Sequence, residues 1–145
     1  MSRNITLYTD GSGTISTLPG GWAAILACGE YVKELSGGSD AASNNEMEIT
    51  AVYEGLKSIK RRGIEIEIIT DSQVVVYWLS RDNARKTDYA QRLCSEIDYM
   101  AVDMGWTLRP KWIKGHSGNT YNERCDVLAG LERAKRMPAK ELIAA

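Results

Sequence analysis

The chain has little cysteine, a single histidine, no apolar run of membrane-spanning length and almost no net charge. Cys28, Cys94 and Cys125 lie far apart and form neither a CxxC pair nor a zinc spacing, so they read as small reduced thiols rather than as ligands or staples. Without about 20 consecutive apolar residues, no helix is expected to cross a bilayer. Met1-Ser2-Arg3-Asn4 leads straight into strand-forming residues, which gives the expectation of no removable leader and a cytoplasmic protein. A net charge of −1 does not announce a nucleic-acid binder, which would need its cations gathered on one face. Local gatherings exist at Arg81, Arg85, Lys86 and Arg92, at Arg109, Lys111 and Lys114, and at Arg133, Lys135, Arg136 and Lys140. Each alone reads as a solvated face. Internal repeats and low-complexity segments are also missing.

What is present suits one globular domain. At 145 residues, 43% hydrophobic and 26% charged, the chain can bury a substantial core. The expected domain covers residues 1–137, with a short tail at 138–145. Ile5, Leu7 and Tyr8 form a β-prone run ending at Asp10, after which Gly11, Gly13, Pro19, Gly20 and Gly21 mark turns. Trp22 to Cys28 is a nearly continuous apolar run, as in a strand buried on both faces, and Gly29-Glu30 turns it into Tyr31 to Ser36. Gly37, Gly38 and Ser39 break the pattern again. Ser43 and Glu46 have capping-box spacing. Ile49, Val52, Tyr53, Leu56 and Ile59 then repeat at helical spacing, with Gly63 as the stop. A strand over Ile64 to Thr70 is followed by a short helix capped by Ser72. A second helix carries Leu93, Ile97, Met100 and Met104, closed by Gly105. Trp106, Leu108 and Trp112 alternate in a last strand, which Pro110 assigns to a sheet edge because it cannot donate to a ladder. Thr120 and Glu123 predict a second capping box, opening a helix with Asp126, Leu128 and Leu131. Alternating elements argue an α/β fold with a partly parallel sheet. Asp10 and Asp71 both terminate strands, where sites form in open α/β sheets, and neighbouring parallel strands would set them side by side.

Four carboxylates stand out by local setting: Asp10 in Asp10-Gly11-Ser12-Gly13, Glu48 in Ser43-Asn44-Asn45-Glu46-Met47-Glu48, Asp71 in Thr70-Asp71-Ser72-Gln73, and Asp126 beyond the His116 loop. Singly, each reads as a turn, a strand end or an exposed helix residue. Together, like charges at close range stay ionised only if a divalent cation joins them. An oxygen-only site of that kind suits magnesium and phosphate chemistry. His116 lies in a loop between Gly115 and Gly118, where an imidazole titrating near neutrality can move protons or escort a product. Asn122 and Asp126, four apart, share a helix face.

Asp10-Gly11-Ser12, Asn44-Asn45-Glu46-Met47-Glu48, Thr70-Asp71-Ser72-Gln73 and Gly115-His116-x-Gly118-x-x-x-Asn122-Glu123-x-Cys125-Asp126, in this order over nearly the whole chain, resemble bacterial-type ribonuclease H. The resemblance implies a five-stranded mixed sheet flanked by helices on both faces. It implies cleavage of the RNA strand of an RNA/DNA hybrid with two magnesium ions, for which manganese can substitute, leaving 5′-phosphate and 3′-hydroxyl ends. Asp10 would bridge the metals, Asp126 would help hold the ion that activates water, and Glu48 and Asp71 the ion at the leaving oxygen. His116 would assist proton movement or product departure. Gly11, Ser12, Asn44, Asn45 and Gln73 would read the 2′-hydroxyl from the minor groove, with Ser43 and Asn122 as further substrate contacts. Asn44 and Asn45 also read simply as polar helix-entry residues. The chain departs from several relatives in its short interval between the helix after Asp71 and the next long helix, roughly Ser80 to Asp88, where those relatives carry a basic protrusion. The alternatives are a DNA-acting nuclease or strand-transfer enzyme on the same architecture, and a silent nucleic-acid-binding module. A monomer without obligatory protein partner is the default.

Overall fold

Strand β1 (Ile5–Ser12) forms the centre of a five-stranded sheet in a computed structural model of the chain, which describes residues 4–138. Antiparallel to it runs β2 (Gly20–Cys28), followed by β3 (Tyr31–Ser39) at one edge. On its other side β4 (Glu65–Thr70) and then β5 (Thr107–Trp112) run parallel to it, giving the order β3-β2-β1-β4-β5. The expected mixed sheet is therefore present, with the Pro110 strand at the predicted edge. The tail expected at 138–145 lies, beyond Pro138, outside the described residues, as does Lys140.

Helices α1 (Asn44–Lys57), α2 (Gln73–Ser80) and α3 (Asp88–Met104) cover one face, and α4 (Thr120–Arg136) covers the other. Alternation along the strands supplies both cores. Leu7, Ile66 and Ile68 point into the larger core with Ile49, Val52, Leu56 and Ile97, while Ala23, Ile25 and Tyr8 meet Cys125 and Ala129 of α4. Each buried branched side chain contributes about 1.5–3 kcal/mol, so the helices are held by packing rather than by their own propensity.

Several boundaries differ from expectation for tertiary reasons, and β2 begins at Gly20 rather than Trp22 because Gly20 and Gly21 pair with Ser39 and Ser12. β1 does not end at Asp10: its pairing with β4 reaches only Tyr8↔Ile69, but its pairing with β2 continues to Ser12↔Gly21. Gly37, Gly38 and Ser39 extend β3 because they pair with Trp22, Gly21 and Gly20. α1 stops at Lys57, before Gly63. The following segment is bound elsewhere: the Gly63 N–H donates to Met104 O at 2.8 Å, and Trp106 Nε1–H donates to Arg61 O at 2.7 Å. The cap of α4 is Asn119, whose side chain accepts from the Asn122 N–H at 2.9 Å, rather than Thr120. The caps at Ser43, Ser72 and Gly105 are as predicted.

The interval between α2 and α3 contains one 3-10 turn, Asp82–Ala84, in place of a protrusion. Arg85 is not an outward cation there. It is buried, donating from Nε to Trp78 O at 2.7 Å and from Nη1 to Asp98 Oδ2 at 2.7 Å. Trp78 is also internal, its Nε1–H donating to Ala84 O.

Candidate active site

Asp10, still paired with Ala23 of β2, lies just past the last β1–β4 pair, beside the end of β4, where Asp71 follows Thr70. Thr70 is buried and accepts from the Ser72 N–H at 3.0 Å, turning the chain out of the sheet and into α2. Trp112, at the end of β5, donates from Nε1 to Asp71 O at 3.0 Å. Glu48 enters from above on the second turn of α1, whose start is fixed by the Ser43 hydroxyl accepting from the Glu46 N–H at 3.2 Å. One oxygen from each of Asp10, Glu48 and Asp71 lies within 4.8 Å of the others.

Gly11 permits this approach. A Cβ there would stand 2.5 Å from Glu48 N and 2.7 Å from Met47 C, both immovable backbone atoms. The bare glycine lets α1 settle onto β1, and its N–H donates to Asp10 Oδ1 at 2.9 Å. Gly115 does the same for the histidine loop, since a Cβ there would lie 2.9 Å from Asp71 Oδ2. His116 itself is exposed and holds a left-handed backbone, φ 57°, a region that histidine enters more readily than most residues.

The acids raise one another. Burial, reinforced by the Asp71 charge, pushes Asp10 up to about 7. Burial followed by the Asp10 and Asp71 charges holds Glu48 well above the carboxylate range, and burial with the Asp126 charge raises Asp71. Glu48 Oε2 is buried without a hydrogen-bond partner. A buried, unpartnered carboxylate oxygen is costly unless something positive meets it. Among the described residues, no lysine or arginine is ion-paired with any of the three. Three converging hard oxygens, beside an orphaned oxygen of Glu48, fit a magnesium- or manganese-type cation.

Asp126 is placed differently. It is exposed in α4 and is not one of the three acids whose oxygens converge, though its charge acts on both Asp10 and Asp71. Asn122, one turn earlier, is 3% exposed, and its side-chain amide nitrogen has no hydrogen-bond partner within the protein. Ser12 ends β1; Asn44 and Asn45 are the first residues of α1, Asn45 exposed; Gln73 opens α2 and is exposed. Ser43 is committed to its helix through its hydroxyl. The predicted substrate residues thus sit at the starts of α1, α2 and α4 and the end of β1, around the carboxylates. Sequence reasoning missed the anchoring of Asp71 by Trp112 and the steric role of Gly11. Trp112 showed only strand alternation, and a glycine beside Asp10 is indistinguishable from a turn until the helix above it is seen.

The shifts fix a pH dependence. A carboxyl raised when folded favours the folded state fully below its unfolded value, 3.8 for Asp10, and that contribution is lost as pH rises through about 7. Glu34 and Glu132 act oppositely, held down by hydrogen bonds from Arg124 and Lys135, but their effect saturates above the ordinary carboxylate range. Metal-free protein is therefore expected to lose thermal stability between about pH 5.5 and pH 8, and magnesium should restore it at the upper end only. A midpoint flat across this window, or one raised equally by magnesium at both ends, would contradict the assignment.

The family model described as RNase H matches residues 2–133. A ribonuclease HI of Helicobacter pylori is 37% identical, the match covering 93% of this chain and 96% of that protein. A ribonuclease H of Idiomarina loihiensis is 40% identical, covering 97% and 94%. Among solved structures, the N-terminal RNase H domain of a Mycobacterium tuberculosis protein superposes with a TM-score of 0.79 at 21% identity, over 99% of this chain and 100% of that one. LC11-RNase H1 in complex with an RNA/DNA hybrid gives 0.77 at 20% identity, over 90% and 97%.

Proposed function

This chain belongs to the ribonuclease H family and is an enzyme of that type, and from that premise we propose that it hydrolyses the RNA strand of RNA/DNA hybrids by a two-metal mechanism. The observation that carries the reading is the convergence of Asp10, Glu48 and Asp71 at the rim of the sheet. Magnesium ions, for which manganese could substitute, would be held by these three carboxylates, with Asp126 as an outer carboxylate. Bound there, divalent ions would offset the charge gathering on the phosphate and make water acidic enough to attack. Water attacks phosphorus, the bond to the 3′-oxygen breaks, and the products carry 5′-phosphate and 3′-hydroxyl ends.

The protein's own groups orient and discriminate. Asn44, Asn45, Gln73 and the backbone at Gly11-Ser12 face the minor groove, where the 2′-hydroxyl distinguishes RNA from DNA. The buried, unpartnered Asn122 amide would donate to the same strand once uncovered. The helices that begin at Asn44, Gln73 and Thr120 would direct N-terminal backbone donors toward substrate phosphates. His116 moves a proton between the reacting oxygens and solvent. No helix among the described residues is long and apolar enough to cross a membrane, and the proposal places a monomer in the cytoplasm.

The test is cleavage of an end-labelled hybrid, beside duplex DNA and single-stranded RNA, with magnesium and with chelator. Cleavage of the hybrid's RNA strand alone, only with metal, is expected. Preference for duplex DNA would favour the DNA-acting alternative, and binding without cleavage in either metal would favour a silent module. His116→Ala is expected to slow turnover by roughly 10- to 100-fold, at or below the low end of general acid–base effects. A loss as complete as that caused by removing a carboxylate would contradict a proton-moving role and imply a ligand.

A further inference from the structure

Beside the carboxylates, α2 and β5 leave an open groove of about 410 Å³ lined by Gln73, Val76, Tyr77, Ser80, Arg81 and Trp112. Its exposed surface is aromatic and cationic. Tyr77 is 57% and Trp112 44% exposed, and the Arg81 guanidinium lies 5.7 Å from the centre of the Tyr77 ring. Packing does not require a tyrosine on this outer face of a short helix, where it exposes apolar surface that water does not favour. The groove is continuous with the active site at two points. Gln73 opens α2 directly after Asp71-Ser72, and Trp112 is bonded through Nε1–H to Asp71 O at 3.0 Å.

Size and chemistry restrict the occupant. The volume falls in the range of small-molecule sites, roughly 300–1,000 Å³, which suits a nucleotide or two. Exposed aromatic faces stack any base, and an arginine beside them supplies charge for a phosphate and a planar cation for the base. We propose that this groove takes an unpaired nucleotide of a strand that runs on beyond the hybrid, so that the enzyme favours hybrids flanked by single-stranded nucleic acid over blunt ones. This rests on the hybrid-cleaving reading, and it gives a compact grip on the side where the chain between α2 and α3 is short.

The experiment compares KM for a blunt hybrid with KM for the same hybrid carrying a short single-stranded extension, placed in turn on each end of each strand. For one placement KM is expected to fall at least fivefold. In Tyr77→Ala/Arg81→Ala that advantage should vanish, with kinetics on the blunt hybrid unchanged within about twofold, and Tyr77→Phe should retain it. Both substituted side chains are exposed, and unchanged blunt-hybrid kinetics would report an intact fold. Equal KM for blunt and all extended hybrids, or an advantage surviving in the double variant, overturns the inference. Failure to cut any of the hybrids, blunt or extended, would instead sink the hybrid-cleaving reading. In that event the groove is judged by quenching of tryptophan emission with oligothymidylate: saturable quenching lost in the double variant supports it, and no quenching overturns it.

Discussion

Asp10→Asn is expected to reduce cleavage by about 10³-fold or more while leaving a protein that, without metal above pH 7, is more stable than the original. The activity loss follows from position. Asp10 shares one cluster with the Glu48 and Asp71 oxygens, all within 4.8 Å of one another, and it is 4% exposed. An amide contributes no charge to a divalent cation, and such cations supply several kcal/mol to phosphoryl chemistry, each 1.36 kcal/mol being tenfold in rate. The stability gain follows from the raised pKa. At neutral pH and above, the native state confines like charges that the unfolded chain disperses. A near-isosteric amide removes one of them and can donate to a neighbouring carboxylate, worth about 1–3 kcal/mol. Cleavage assays with thermal unfolding at about pH 8 check both halves. Activity within tenfold of the original, or a stability loss like that of an ordinary core substitution, would contradict the account.

Gly11→Ala is the second large effect, and here fold and site fail together. The added methyl carbon meets the backbone of Met47 and Glu48 at 2.5 to 2.7 Å, so α1 must lift from β1. Overpacking of this kind costs about 1–3 kcal/mol. The displacement also carries Glu48 away from Asp10, and misplacement of about 1 Å in an active site costs on the order of 10²-fold in rate. Reduced stability with activity lost beyond it is the expected pairing, read from denaturant unfolding and from cleavage under conditions where the variant is fully folded. A variant equal to the original in both would show that α1 and β1 are less closely set.

Much of this site was legible because its residues sit where chain direction changes. Asp71 follows a strand of alternating isoleucines, Glu48 follows a recognisable cap at Ser43, and the adjacency of Asp10 and Asp71 follows once the two strands are parallel neighbours. What was hidden depended on partners distant in sequence. The end of α1 at Lys57 is set by Met104 and Trp106, more than forty positions on. Arg85, which reads as part of a basic stretch, is turned inward by Asp98 and the Trp78 carbonyl. Asp126 stands with the other acids in sequence, in its own stretch beyond His116, but the rotation of α4 on the sheet leaves it exposed while Asn122 is buried. That rotation is set where Gly21 lets Ala129 O approach to 2.1 Å of the place a Cβ would occupy, a contact with no local signature.

The central claim is that Asp10, Glu48 and Asp71 form one seat for divalent cations. Crystals soaked in manganese and measured at the metal's absorption edge test it most directly. The expected result is an anomalous peak among these three carboxylates that disappears in Asp10→Asn. Manganese bound elsewhere on the molecule, with no peak among the three, would contradict it.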